Sequence, residues 1–394
     1  MSVTENQFLL YPEMLDNGLV KWPYLSVSPT SSTLYHKILR STGSEYKGQK
    51  RDNIKLPDNN KHDGFLSRKA YKRIRRSVDW FLYSVDPEIL RTGKGREKVT
   101  FITLTLPSSQ LKSIENNQPV FYHSDQVIKS QCLNQFFIEG KKRWGLNRKI
   151  WKAEKQKNGT IHFHILADCY INHKELRIVW NRIINKLGYV DRYSKQFENV
   201  TFNEYLKIRK NDKRKNETSV LFEKRIKDIY KKQTNEKWSN PNTSDIHSLY
   251  KSKNGKKILN IGAYIAKYTS KTALSEERLE QIRLAKNQGI ENLTIEEKLL
   301  QVSGRIWFCS SEISKYKNVQ IELDGEKISY QVDDMFNLFR NKIWENETIK
   351  SVRVNIEELR RKGFNLILDF FDDFVSEIRK AFVWVPAPLL PCSV

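Results

Sequence analysis

The sequence has no apolar run long enough to cross a bilayer. The longest, Ala381–Pro391, is eleven residues and contains Pro386, Pro388 and Pro391, whereas a span needs roughly 20; no membrane partner is expected. Met1–Leu10 lacks the basic-then-apolar pattern of a secretory signal. The four cysteines (Cys132, Cys169, Cys309, Cys392) have neither zinc-ligand nor redox spacing, so a reduced, cytoplasmic protein is expected. No G-x-x-x-x-G-K-[S/T] phosphate loop occurs: Asn254-Gly255-Lys256-Lys257 lacks both the earlier glycine and the hydroxyl residue. An ATPase or helicase domain is therefore not expected, and duplex unwinding would fall to a partner. Acidic residues are also scarce, 46 against 69 Lys plus Arg, a formal charge of +23. That surplus points to a polyanion, nucleic acid before an anionic membrane surface. Disorder throughout is excluded by a 39% hydrophobic and 11% aromatic content, and 394 residues suffice for one large domain or two medium ones.

Residues 1–66 are polar, with Ser/Thr-rich and Asn/Asp-rich patches around Ser26–Thr33 and Asp52–Asp63, and read as an irregular arm. Ser67 caps a predicted helix in which Ala70, Ile74, Val78, Phe81 and Val85 recur at helical spacing. Its first turns carry Arg68, Lys69, Lys72, Arg73, Arg75 and Arg76 without an acid, either a solvated face or a phosphate-contacting one. Strand Val99–Leu106, helix Asp125–Trp144 and a hairpin of Lys149–Gln156 with Thr160–Asp168 follow. Helix His173–Leu187 comes next, with a capping-box-like start at Asn172 and Glu175. Gln196–Phe202 reads as a further strand. Tyr205–Trp238 holds 12 Lys/Arg and 5 Asp/Glu, a charged and partly helical insertion. Ser239–Asn254 is turn-rich, Ile258–Lys271 helical, Ser275–Leu300 a helical linker, Gly304–Cys309 a strand, and Asn365–Val383 an amphipathic helix.

The hairpin carries the first chemical constellation. Strand alternation projects His162 and His164 to one face, with Leu166 and Asp168 further along it, and sends Phe163, Ile165 and Ala167 to the other. The turn decides whether Glu154 joins the histidines. A two-residue loop at Asn158-Gly159 pairs Lys155 with His162 and turns Glu154 away. A three-residue loop, Lys157-Asn158-Gly159, with a left-handed Gly159, pairs Glu154 with His162. Asn-Gly suits both. Two histidines two residues apart are weak evidence alone and often mere polar decoration. Here they face away from a buried Phe163/Ile165 side, in a chain with seven histidines in all. In the three-residue turn, Glu154 and the two histidines form a patch suited to a divalent cation with open positions.

The second constellation is Tyr264-Ile-Ala-Lys267-Tyr268-Thr-Ser-Lys271. Tyr264 and Tyr268 are four apart and share a helical face, with Lys267 and Lys271 on an adjoining stripe. In isolation this is an amphipathic helix covering a core. Beside a metal hairpin it is a nucleophile candidate, because a cation on a phosphate and a nearby ammonium offset charge as a phenolate attacks.

Together these segments resemble the HUH endonucleases, named for two histidines flanking a hydrophobic residue. Phe101-Ile-Thr-Leu-Thr105-Leu-Pro107 looks like their first motif, Trp151–Asp168 the second and Tyr264–Lys271 the third, in the order of rolling-circle replication initiators. The paired tyrosines are similar to those of initiators from small circular single-stranded DNA phages and related plasmids, as is Gly304-Arg305-Ile306-Trp307. The resemblance implies an α+β fold: an RRM/ferredoxin-like antiparallel central sheet flanked by helices. The resemblance covers about 67–310 and says little about 1–66 or 311–394; from composition and pattern, about 205–254 is expected to be a charged insertion and 311–394 a helical C-terminal extension. It assigns metal binding to His162, His164 and Glu154, the nucleophiles to Tyr264 and Tyr268, and an accompanying lysine to Lys267. Asp168 stands where other members often have glutamine. The implied cofactor is Mg²⁺ or Mn²⁺. The implied partners are single-stranded or supercoiled origin DNA and a host helicase and polymerase in a bacterial cytoplasm; from the charge pattern, Arg68, Lys69, Lys72, Arg73 and Lys271 are expected to hold the DNA. The implied reaction is nicking and rejoining through a 5′-phosphotyrosine. Two readings compete with it: a non-catalytic origin or single-strand binder using Trp151, Tyr264 and Trp307, and a zinc hydrolase built on the two histidines.

Overall fold

A computed structural model describes residues 10–15, 17–40, 64–84, 99–214, 216–248, 274–290, 292–345 and 349–381. The chain is α+β. Its strands are, in order, β1 (Glu13–Met14), β2 (Leu19–Ser28), β3 (Ser31–Arg40), β4 (Thr100–Leu104), β5 (Leu111–Glu115), β6 (Gln118–Phe121), β7 (Lys149–Lys155), β8 (Ile161–Ala167), β9 (Ser244–Ser248), β10 (Trp307–Cys309), β11 (Val319–Glu322), β12 (Ile343–Glu345) and β13 (Ile349–Val352). Two compact units result. One comprises Asn59–Val78 with Val85–Ser310; the other comprises Met1–Asp58, Asp79–Ser84 and Ser311–Val394. Among the described residues, no helix is long and apolar enough to cross a membrane.

The two units differ sharply in charge. The first carries 50 Lys/Arg against 25 Asp/Glu, the second 19 against 21. All of the positive surplus belongs to the first unit.

That first unit is organised by an antiparallel five-stranded sheet in the order β10-β7-β8-β4-β9. β8 lies at its centre because alternate residues can be buried completely. Phe163, Ile165 and Ala167 on one face are fully inaccessible. They pack with Ile102 and Leu104 of β4 towards the helices Asn134–Trp144 and His173–Asn185. Trp180 meets Phe163 edge-on at 6.3 Å and Phe136 at 5.9 Å. Each of the larger of these buried side chains, Phe163, Ile165, Ile102 and Leu104, contributes roughly 1.5–3 kcal/mol of transfer free energy. Asn172 caps the second helix through Lys174 N, and Gly145 ends the first in a left-handed conformation. Between Asp125–Val127 and Asn134–Trp144 the helix passes through a π-helical stretch, Ile128–Leu133.

Four expectations need correction. Residues 1–66 are not wholly irregular: β2 and β3 form a ten-residue-per-strand hairpin, Leu19↔Arg40 through Ser28↔Ser31. Leu25, Val27 and Leu34 are buried on one face. Residues 311–394 are not simply helical. β11 pairs β2 and β13 pairs β3, so chain ends about 300 residues apart build one sheet. Gln196–Phe202 is not a strand, because Tyr189, Val190, Tyr193 and Phe197 bury one side of a helix, Tyr189–Phe197. Thr201 then starts the helix Phe202–Ile208 with a capping box to Glu204. Finally, β9 lies within the turn-rich 239–254 and pairs the edge of β4, Ile102↔Ile246.

Candidate metal centre

The hairpin β7–β8 has the three-residue loop. Glu154 pairs with His162 and Lys155 with Ile161, Gln156 N donates to Thr160 O at 2.9 Å, and Gly159 sits at φ +76°. A buried polar cluster holds this turn. Gln110 Oε1 accepts from Ile161 N (2.9 Å) and from Lys155 Nζ (3.1 Å). Lys155 Nζ also donates to Gly159 O (2.8 Å) and pairs with Asp125 Oδ1 at 2.7 Å. Asp125 Oδ2 accepts from Ser303 N at 2.9 Å. Every polar atom fixed here specifies one loop length over the other, since a two-residue turn would move Lys155 to the opposite face.

Gly159 is doubly required. A Cβ there would lie 2.9 Å from Leu299 Cδ2 and 3.3 Å from Phe121 Cε1, at a φ that side chains rarely adopt. Gly159→Ala is expected to cost about 1–3 kcal/mol of stability. It should also weaken cation binding, which isothermal calorimetry and thermal melting check together. A variant as stable and as cation-competent as the parent would show that the turn does not set the site.

With this register three donor atoms converge. Glu154 Oε1 lies 2.6 Å from His162 Nε2 and 3.0 Å from His164 Nε2. One ligand atom from each of the three residues falls within 4.8 Å of the others. Oε2 of the same carboxylate is 2.9 Å from Lys152 Nζ, an ammonium whose side chain is only 3% exposed. Lys152 faces His164 directly across the ladder. Phe101 stacks on the His164 ring at 5.6 Å, and Thr103 Oγ1 is 3.3 Å from His164 Nδ1.

Burial pushes the Glu154 carboxyl up, but hydrogen bonds from His162 and His164 and the Lys152 ammonium outweigh it. They hold the group far below the ordinary carboxylate range. Burial lowers His164, more than Glu154 raises it. At neutral pH the site therefore offers an ionised carboxylate and a neutral His164 imidazole. A bound cation would replace the Nε2 proton of His164 and take its lone pair, with Nδ1–H then free to donate to Thr103 Oγ1. One carboxylate oxygen and two imidazole nitrogens, with one side open, fit a divalent cation. The open side is a cleft of about 510 Å³, lined by Lys152, Glu154, Gln156 and His162 and walled by Leu66, Val302 and Ile306, within the usual size range for ligand sites.

Asp168 does not join the triad. β8 ends at Ala167, and the Asp168 carboxylate accepts from Asn147 N (3.2 Å), Arg148 N (3.0 Å) and Arg148 Nε (3.1 Å), anchoring the entry to β7. Arg68, Lys69, Lys72 and Arg73 are exposed on the first turns of the helix Arg68–Ser84, which Ser67 Oγ caps at Ala70 N (3.2 Å). Tyr264, Lys267, Tyr268 and Lys271 lie outside the described residues. Sequence reading passed over Lys152 and Thr103. Both follow from the register once it is known, as the cross-strand neighbours of His164 on either side. Compared with known protein families, characterised proteins and solved structures, the chain matches none.

Proposed function

We propose that the protein is an HUH-type rolling-circle replication initiator, which nicks single-stranded DNA at an origin and rejoins it through a 5′-phosphotyrosine. The observation that carries this reading is the Glu154–His162–His164 constellation. It sits on a hairpin that includes the central strand of a five-stranded antiparallel sheet, within the unit that holds all of the positive surplus. The strand β4, whose sequence resembles the first motif, pairs directly with β8.

In this reading His162, His164 and Glu154 hold Mg²⁺ or Mn²⁺, which when bound supplies positive charge at a non-bridging oxygen of the scissile phosphate. Lys152 fixes Oε2 of Glu154, so that the carboxylate presents Oε1 to the open side. Thr103 orients His164. Tyr264 or Tyr268 attacks phosphorus; its phenolic proton is lost, the P–O3′ bond breaks, and the 3′-oxygen leaves and is protonated. The phosphotyrosyl ester conserves the bond for rejoining when a free 3′-hydroxyl returns. Lys267 lies between the two tyrosines in sequence, and its ammonium would offset charge on the phenolate. Strand exchange needs no nucleotide hydrolysis by the chain itself; unwinding falls to a host helicase.

Binding and chemistry should separate. Neutralising Arg68, Lys69, Lys72 and Arg73 together is expected to weaken single-strand binding and to flatten the dependence of log K on log salt by up to about 3, from 0.7 per lost phosphate contact. The cleavage rate on saturating DNA should stay unchanged. A salt titration by fluorescence anisotropy measures the slope, and an unaltered slope would remove this helix from the DNA path. The competing reading, a binder without catalysis, predicts no covalent adduct under any metal condition.

A further inference from the structure

The insertion between the sheet strands β8 and β9 is a helical module with a core of its own. Tyr193, Phe197, Tyr205, Phe222, Ile226 and Trp238 are buried together, and Tyr230 and Phe202 pack against them. Phe197 and Trp238 stack at 4.9 Å. Tyr205 touches Trp238 at 5.2 Å. Thr218 caps the longest helix, Ser219–Asn235, at Leu221 N. Phe222 and Ile226 turn inward, so the opposite side of that helix faces solvent.

That outer side is basic. Lys224, Lys227 and Lys231 are exposed and spaced by three and four residues, which aligns them on one stripe. Lys232 flanks it on one side, 3.9 Å from Glu236, and exposed Glu223 on the other; Asp228 lies within it, so four lysines stand against two acids on this side of the helix. Arg225 is already committed inward, to Glu217 at 2.7 Å and to the Asp212 carbonyl at 2.9 Å. The stripe runs along the axis for about 10 Å, seven steps of roughly 1.5 Å.

The module thus shows charge outward and aromatic rings inward. Single-strand binders pair a basic groove with exposed rings on which bases stack; here the rings that could stack are spent on the core. A convex helix with a lysine stripe and no stacking face complements the phosphates of an intact duplex, which need charge alone. We infer that the helix Ser219–Asn235 is a duplex-DNA grip, separate from the metal cleft, which holds double-stranded DNA while the cleft takes a single strand. The choice of DNA as the polyanion rests on the function proposed above; the stripe itself does not depend on the metal triad.

The test uses the full chain and fluorescence anisotropy on two probes, a blunt-ended duplex and an oligothymidine of equal length. Lys224→Gln/Lys227→Gln/Lys231→Gln should lower duplex affinity at least about 10-fold and reduce the duplex salt slope by about 2 to 3, from 0.9 per lost contact. Affinity for oligothymidine should stay within about 2-fold. A control that removes three exposed lysines from the nearly neutral unit, Lys317→Gln/Lys327→Gln/Lys362→Gln, should leave both probes unaffected. Undiminished duplex affinity in the first variant, equal loss on both probes, or the same loss in the control would overturn the grip. A parent protein that binds neither probe would instead defeat the DNA reading itself.

Discussion

Replacing His162 or His164 with alanine is expected to lower cleavage of labelled single-stranded DNA at least about 1,000-fold, corresponding to several kcal/mol of transition-state stabilisation. DNA binding should remain within a few-fold, because it rests on lysine and arginine contacts with phosphate rather than on the cation. Glu154→Ala belongs with these two, since its Oε1 is the atom nearest both imidazoles. Removing it leaves Lys152 as a buried ammonium without that carboxylate, so a loss of stability is expected as well. Glu154→Gln keeps the shape and removes only the charge. It should retain more stability than the alanine and still lose cation affinity. Single-turnover cleavage, anisotropy and calorimetry on the same preparations separate these effects. Full nicking activity in a His162→Ala/His164→Ala double variant would end the metal assignment.

The second large effect concerns the tyrosines. Residues four apart on a helix are separated by about 6 Å along its axis, so either phenol of such a pair can serve one phosphate after modest movement. In the proposed cycle one tyrosine would hold a 5′ end while the other cut the regenerated origin, and the released strand would close into a circle. Tyr264→Phe and Tyr268→Phe are each expected to retain some cleavage of short single strands, and the double variant none. Circle formation, which needs both, should be lost in either single variant. If one single change abolished cleavage and the other were silent, this would be a one-tyrosine enzyme, and the silent ring a packing aromatic.

What the sequence made legible follows the reach of each interaction. Local alternation was enough for β8, since Phe163 and Ile165 must go one way and the histidines the other. It was not enough for the turn. Asn158-Gly159 satisfies two loop lengths locally, and the choice depends on Gln110, Asp125 and Ser303, which meet Lys155 and its neighbours only in the folded unit. Asp168 misled for a related reason: alternation holds only while the strand lasts, and the chain leaves the ladder at Ala167. The hairpin β2–β3 was hidden because Pro23 lies mid-strand, where a residue without an N–H argues against a strand. Its support comes from β11 and β13, near the other end of the chain. β9 is an edge strand, Ser-Asp-Ile-His-Ser, with little apolar signal of its own.

The most direct measurement is a denaturing gel on protein incubated with a random-sequence pool of single-stranded oligonucleotides labelled at the 3′ end, so that the label stays with the fragment bearing the 5′ phosphate. With Mg²⁺ or Mn²⁺ the label should migrate covalently with the protein, and proteolytic mapping should find it on Tyr264 or Tyr268. With EDTA, or in the His162→Ala variant, it should not. Covalent label that survives EDTA, or no covalent label with either cation, would contradict the account.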